Sequence, residues 1–224
     1  DTIFASLLET GSPTWLYVSD RLVQFPLGIF AIAIGTVLLP TLSKLDVIKE
    51  RTTFNNTIKK GQKFVLFIGI PSLIGLMFCA EDLISTIFYR GAFTEEDVFK
   101  SSLSLIAFSI GLPFFMLMKV LTPAFFARKD TKTPMYVAII SLILNASLNY
   151  LLAFVLNFGH VGIAIGSSIA ALISVLILEV ILYKDGFIKI QGVINRFNIM
   201  ILFSSIALII FLYFFTSNTN FMNF

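Results

Sequence analysis

Charge is what this 224-residue chain has least of. Only 13% of its residues are Asp, Glu, Lys or Arg, against about a quarter in soluble globular proteins. So few charges cannot cover a water-facing surface, which excludes an ordinary soluble domain. Cysteine is nearly absent. Cys79 stands alone in an apolar run, so no internal disulfide is available, and the residue reads as a buried, inert thiol. His160 is the one histidine. It falls in a short turn and reads as a surface residue. There is no phosphate-cradling glycine loop, no nucleophile–base–acid arrangement and no spacing of metal ligands. No catalytic residue, resident metal or cofactor is expected, and nothing suggests bond-making chemistry.

What fills the chain instead is hydrocarbon. Hydrophobic residues make up 57% and the mean hydropathy is +0.93. Several apolar runs reach the roughly 20 residues that a helix needs to cross a hydrocarbon core of about 30 Å. The expected fold is all-α, a polytopic bundle of six or seven transmembrane helices. Full spans are predicted at about 13–43, 62–80, 101–125, 133–156, 161–183 and 197–216. The first starts on Gly11, Ser12 and Pro13 and carries Pro26 and Gly28 inside, which predicts a kink. Its end approaches Pro40 and Lys44. The opening residues TIFASLLE read as the end of a helix that begins before Asp1.

The connections sort by charge. Segment 44–63 carries Lys44, Lys49, Arg51, Lys59, Lys60 and Lys63, turn 126–132 carries Arg128, Lys129 and Lys132, and segment 184–196 carries Lys184, Lys189 and Arg196. Between them lie an acidic segment, 81–100, and a turn at 157–160 without Lys or Arg. Basic and non-basic connections alternate throughout, and the three basic ones hold twelve of the sixteen Lys and Arg. The positive-inside rule makes those three cytoplasmic. With spans on both sides, the basic stretches read as loops rather than nucleic-acid contacts. Segment 44–60 is either an amphipathic surface helix, with Leu45, Ile48, Phe54 and Ile58 on its apolar face, or a plain polar loop.

Ionisable residues within a span usually face the bundle interior or a water-filled cavity. Asp20 and Arg21 lie in the first span, Arg21 about 12 Å below its outer end at 1.5 Å per residue. Adjacent residues diverge by about 100°, so the two need not pair. Lys119 lies nearer the inner end of its span. A cationic cavity for an anionic substrate is one reading, since the planar guanidinium forks onto phosphate oxygens. A structural ion pair, or a lysine stem snorkelling to the interface, is the other. Asn145 and Asn149 share a helix face and read as interhelical hydrogen-bonding groups. Glu179 is expected to reach the inner interface.

Three blocks carry a family resemblance. GSPTWLYVSDRLVQFPLGIFAIAIGTVLLPTLSK (Gly11–Lys44), FYRGAF (Phe88–Phe93) and KVLTPAFFARKDTKTP (Lys119–Pro134) resemble motifs of the MurJ (MviN) family of lipid II flippases. The resemblance implies a MATE-like fold of fourteen helices in two lobes. This chain would hold the end of helix seven and helices eight to thirteen. Residues 1–184 would form the carboxy-terminal six-helix lobe, and residues 185–224 a linker and one additional helix. The amino-terminal lobe of the same protein would be a partner. The resemblance further implies a multi-pass protein of the bacterial cytoplasmic membrane. It would carry an undecaprenyl-pyrophosphate-linked sugar-peptide across by alternating access. Arg21, with Asp20 and Lys119, is implied at the substrate. Asp1, Asn145 and Asn149 are implied at a site for a coupling monovalent cation or proton, with Asn149 standing where a carboxylate is expected. The alternatives are an exporter of other undecaprenyl-linked oligosaccharides and, in a different class, a non-transporting membrane scaffold.

Overall fold

The structure, a computed structural model, describes residues 2–46, 49–187 and 196–219. Its helices are α1 (Thr2–Ser6), α2 (Ser12–Pro26), α3 (Ala33–Ser43), α4 (Arg51–Phe78), α5 (Ala80–Phe88), α6 (Glu95–Ala127), α7 (Lys132–Tyr150), α8 (Gly159–Lys184) and α9 (Arg196–Thr219). A π-helical stretch, Leu27–Ile32, joins α2 to α3, and a second, Leu151–Val155, extends α7. Among the described residues there is no strand. Five rods are long and apolar enough to cross a membrane: Ser12–Ser43, Arg51–Phe78, Glu95–Ala127, Lys132–Val155 and Gly159–Lys184. Within α9, Phe203–Phe214 forms a shorter apolar stretch. The chain is an all-α, multi-pass membrane bundle.

Local chemistry explains how the rods begin and bend. Gly11 takes φ 105°, and a Cβ there would sit 2.6 Å from the Trp15 ring, so only glycine fits. Pro13 follows in the first turn, where its missing N–H costs nothing. Pro26 removes a ladder donor inside the rod, and the predicted kink takes the form of the π-helical stretch that starts beside it. Thr94 and Asp97 form a reciprocal capping box at the start of α6, and Glu95, Glu96 and Asp97 complement the helix dipole.

The core is α6, which packs against α8, α4, α2, α3 and α5, while α7 lies on α8. Close approach holds this arrangement together. A Cβ at Gly111 of α6 would meet Ser168 Cα at 2.9 Å, and Ser168 Oγ donates to the Ala107 carbonyl at 2.8 Å. On α8, Gly162, Gly166, Ala170 and Ser174 recur every four residues and are buried. This small-residue stripe lets backbones touch. A Cβ at Gly162 would come 2.8 Å from the Ala153 nitrogen, and one at Gly166 would come 2.5 Å from Asn149 Oδ1. Ser19 Oγ of α2 lies 2.7 Å from the carbonyls of both Trp15 and Ser101, tying α2 to α6.

Several expectations are corrected. Segment 44–60 is neither a surface helix nor a loop over most of its length, because α4 starts at Arg51 and runs unbroken into its span. Phe54 and Ile58 are fully buried in the protein core and do not lie on lipid. Ile48 lies outside the described residues. Segment 81–100 holds most of α5 and the first turns of α6, so it is not a simple loop. Cys79 is partly exposed at the break between α4 and α5. His160 belongs to the first turn of α8 and is half-buried, its Nδ1 hydrogen-bonded to Ser104 Oγ at 2.7 Å and its ring edge-on to Trp15. Glu179 is half-buried and accepts from Gln62 Nε2 at 2.9 Å.

The α7–α8 seam makes a direct prediction. Gly166→Val places two extra branches where Asn149 Oδ1 already fills the space, at an overpacking cost of about 1–3 kcal/mol. The detergent-solubilised full-length variant should melt several degrees below the parent. Gly75→Ala has no neighbour within 4 Å of the new Cβ, and should leave the melting temperature unchanged or raise it. Equal melting of parent and Gly166→Val would contradict the close-packed seam.

Candidate functional site

A cavity of about 940 Å³ opens between α1, α2, α6, α7 and α8. Thr14, Tyr17 and Asp20 of α2, Ser141 and Asn145 of α7, and Ser167 of α8 supply its polar lining. Phe108, Phe115 and Met118 of α6 supply apolar wall. Asp20 is the one ionisable carboxylate among these lining residues. It is half-buried and accepts a short hydrogen bond from Gln24 Nε2, one turn on. An ionisable group at such a place in a span marks function more often than stability.

The asparagines are brought together with Ser167. Asn149 Nδ2 donates to Asn145 Oδ1 at 2.9 Å, and Asn145 Nδ2 donates to Ser167 Oγ at 2.9 Å. Asn149 is fully buried. This chain of amides ties α7 to α8 beside the cavity. Asp1 lies outside the described residues. Among those described, no group of three His, Cys, Asp or Glu could hold a metal ion.

Arg21 stands next to Asp20 but points elsewhere. It is exposed on the rod, its guanidinium 4.8 Å above the Tyr17 ring, and it is not part of the cavity wall. Among the described residues it makes no ion pair. Lys119 is likewise exposed, at the level where its carbonyl meets Gly35 of α3. Gly35 is fourteen residues beyond Arg21 on the same rod, which is about 21 Å along the axis. Asp20, Asn145 and Ser167 therefore share one cavity, while Arg21 and Lys119 lie on the outside of the lobe at different depths.

Two charged clusters that sequence reasoning did not foresee close the two ends of the bundle. At one end, Trp15 Nε1 donates to Asp97 Oδ1 at 2.7 Å, and Lys100 Nζ sits 4.4 Å from the Trp15 ring. Lys100 also bridges Glu9 at 2.8 Å and Glu96 at 2.9 Å. At the other end, Arg128 pairs with Asp185 at 2.6 Å and lies 4.1 Å from the Phe187 ring. Arg51 stacks on the same ring at 4.6 Å and donates to the Asp185 carbonyl. Nearby, the Thr133 hydroxyl and N–H hold the Asp130 carboxyl below the usual carboxylate range. Arg128 therefore is not the indifferent turn residue that its place in a basic connection suggests. The sequence signal that exists is the Asp185–Gly186–Phe187 run after α8, but only the fold brings it to Arg51 and Arg128.

The described residues thus form an α-helical membrane lobe with a polar cavity and an exposed arginine on one of its rods. The profile of the family described as "Lipid II flippase MurJ" matches residues 1–224, and the chain belongs to that family. It is 45% identical over 186 residues to "Probable lipid II flippase MurJ" of Vibrio cholerae, covering 83% of this chain and 35% of that protein. The protein of the same description from Haemophilus influenzae is 43% identical over 184 residues, covering 80% of this chain and 36% of that protein. A solved structure, "Lipid II flippase MurJ, inward closed conformation", superposes with a TM-score of 0.81 at 31% identity, over 94% of this chain and 42% of that one. The chain thus spans a little over a third of the length of these two curated relatives.

The Arg128 cluster gives a second prediction. Arg128→Ala removes an ion pair that is largely enclosed on the arginine side and a cation–π contact, about 1–3 kcal/mol together. It should lower the thermal midpoint and folded yield of the full-length protein, whereas Lys132→Ala, at an exposed position, should change neither. A parent-like midpoint for Arg128→Ala would show that the cluster adds nothing to stability.

Proposed function

We propose that the protein carrying this lobe is a flippase of the bacterial cytoplasmic membrane. On this reading it moves lipid II, an undecaprenyl-pyrophosphate-linked sugar-peptide, between leaflets by alternating access. The observation that carries the reading is Arg21, a guanidinium exposed on a membrane-length rod without an ion-pair partner among the described residues. Holding an arginine at the centre of a span costs about 2.5–3.5 kcal/mol on insertion scales. A helix built only to pack would be more stable with Leu or Met there. The guanidinium fork suits a pyrophosphate, which it engages with paired N–H donors. Tyr17 keeps the fork extended by stacking on it. Asp20, turned into the lobe's own cavity, forms no ion pair with that fork. Lys119, about 21 Å deeper by helix rise, offers a second cationic station nearer the other face. The prenyl chain stays in lipid while the charged head moves past these stations. The amino-terminal lobe supplies the opposing wall.

A coupling ion or proton belongs to the same proposal. Asn145 and Asn149, with Ser167 beside them, and Asp1 are the groups that would respond to it. The neutral oxygens of Asn145, Asn149 and Ser167 suit a weakly held monovalent cation better than a divalent one.

In the full-length protein, Arg21→Ala should abolish lipid II translocation in a cell-based accessibility assay while expression and insertion stay normal. Arg21→Lys should lose at least tenfold, because a point charge does not reproduce the paired donors. Normal flipping by Arg21→Ala would sink the substrate-site role and leave Arg21 as a structural residue. The orientation has its own test. With Cys79 replaced by Ala, a cysteine at Lys132 should resist membrane-impermeant maleimide in intact cells and react once the membrane is opened. Reaction from outside would reverse the topology.

A further inference from the structure

The rod Ser12–Ser43 and the start of α4 enclose a second concavity that the substrate reading leaves unused. It is a groove of about 480 Å³ on the outside of the lobe. Its upper walls are Ile29, Phe30 and Ala33 on one side and Phe64 on the other, and its lower rim is Thr41, Thr57 and Lys60. Polarity therefore changes along its length, apolar at the deep end and cationic at the shallow end. From Ile29 to Thr41 the rod advances twelve residues, about 18 Å. One leaflet of hydrocarbon is about 15 Å thick, half of a core of about 30 Å. The groove thus spans the depth of a single leaflet.

The donors at its rim are sorted by the structure. Thr41 Oγ1 donates to the Val37 carbonyl at 2.7 Å and Thr57 Oγ1 to the Thr53 carbonyl at 2.9 Å. Both hydroxyl hydrogens are spent on their own helices, which leaves the Lys60 ammonium to meet an anion. Lys60 is exposed and makes no ion pair among the described residues. The surrounding segment 44–63 carries six Lys and Arg against Asp46 and Glu50, so the local field favours negative headgroups. Gly61 keeps the floor of the groove intact, because a Cβ there would strike Leu38 Cδ1 at 2.9 Å and Val120 Cγ1 at 3.1 Å.

We propose that this groove binds an anionic glycerophospholipid, with one acyl chain along α3 and α4 and its phosphate on Lys60. Depth favours a glycerophospholipid chain over a long polyprenyl chain, which would overrun a one-leaflet slot. Charge favours an anionic headgroup over a zwitterionic one. Under the orientation proposed above the lipid belongs to the inner leaflet, and the site deepens that reading without depending on Arg21.

The test uses the full-length protein in zwitterionic nanodiscs doped with phosphatidylglycerol bearing a diazirine on one acyl chain. After illumination, peptides are mapped by mass spectrometry. Label should concentrate on the Ile29–Val37 and Phe64 peptides. Lys60→Gln should cut it about fivefold, the equivalent of ~1 kcal/mol for one lysine at the membrane surface. Ala33→Phe, which fills the slot with an apolar side chain, should remove label from these peptides and spare the rest. The matching phosphatidylcholine probe should label the parent no better than phosphatidylglycerol labels Lys60→Gln. Arg21→Ala should leave the label unchanged, so that failure of the substrate site and failure of this site are told apart. Equal labelling by the two headgroups, no effect of Lys60→Gln, or preferential labelling by a diazirine polyprenyl phosphate would each overturn the proposal.

Discussion

Lipid offers no hydrogen-bond partner and little hydrophobic drive between helices, so a membrane lobe must cohere by close approach. In this chain that constraint falls on the α6–α8 contact. Gly111 lets α8 come so near that Ser168 Oγ reaches a backbone carbonyl of α6. The Gly162, Gly166, Ala170, Ser174 stripe continues the fit along α8, against α7 at its two glycines. Ser109 spends its proton on the Leu105 carbonyl and Ser174 on that of Ala170. Small residues thus serve twice, by admitting a neighbouring backbone and by hiding their own polarity. The cavity beside α7, the asparagine pair and the placement of α2 all depend on this close contact. A larger residue at Gly166 would displace Asn149, and with it the amide that donates to Asn145 on the cavity wall.

One rod presents two chemical environments because adjacent helical residues diverge. Asp20 turns towards the cavity and Gln24, while Arg21 turns out and lies on Tyr17. Had the pair sat three or four residues apart, the opposite charges would have neutralised each other on one face. The i,i+1 spacing keeps a carboxylate for the interior and a guanidinium for the exterior. The two residues can thus serve different partners, one within the lobe and one across from it.

Much of this was legible in sequence, and the reason is periodicity. Hydropathy placed six spans, five of them on the membrane-length rods and the sixth on α9, whose apolar stretch is shorter. Gly11 and Pro13 marked a helix start, and Pro26 marked the bend. What sequence could not yield were contacts made across many residues. Nothing near His160 announces Trp15, and nothing near Arg128 announces Phe187, fifty-nine positions on. Such pairs follow from helix crossings, which leave no repeat to read. The same limit explains the error over segment 44–60. Its mixed polarity looks like a surface element, yet Phe54 and Ile58 fall on the side of α4 that meets the core, where Phe54 packs against Phe187 at 5.6 Å. The carboxylate of the site was visible, but its cavity, built from helices more than a hundred residues apart, was not.

The two end clusters bear on how such a lobe can work. At one end Lys100 links the α1–α2 connection, α2 and α6 through Glu9, Trp15 and Glu96; at the other Arg51 and Arg128 fasten α4 and α6 to the end of α8. Exposed ion pairs are individually weak. Here each charge also stacks on an aromatic ring, and each cluster joins at least two separate helices, so loosening one helix means breaking several contacts at once. A bundle tied at both ends and close-packed between them resists internal shear. Alternating access in repeat-built transporters proceeds largely by rocking one lobe against the other, which asks for that stiffness. The exception is the π-helical stretch after Pro26, where the ladder is already widened and Gly28 has no neighbour within 4 Å of a Cβ. That stretch lies between the level of Arg21 and the level of Lys119. On the flippase reading, bending there would change the relation between the two cationic stations while the α6–α8 core stays fixed.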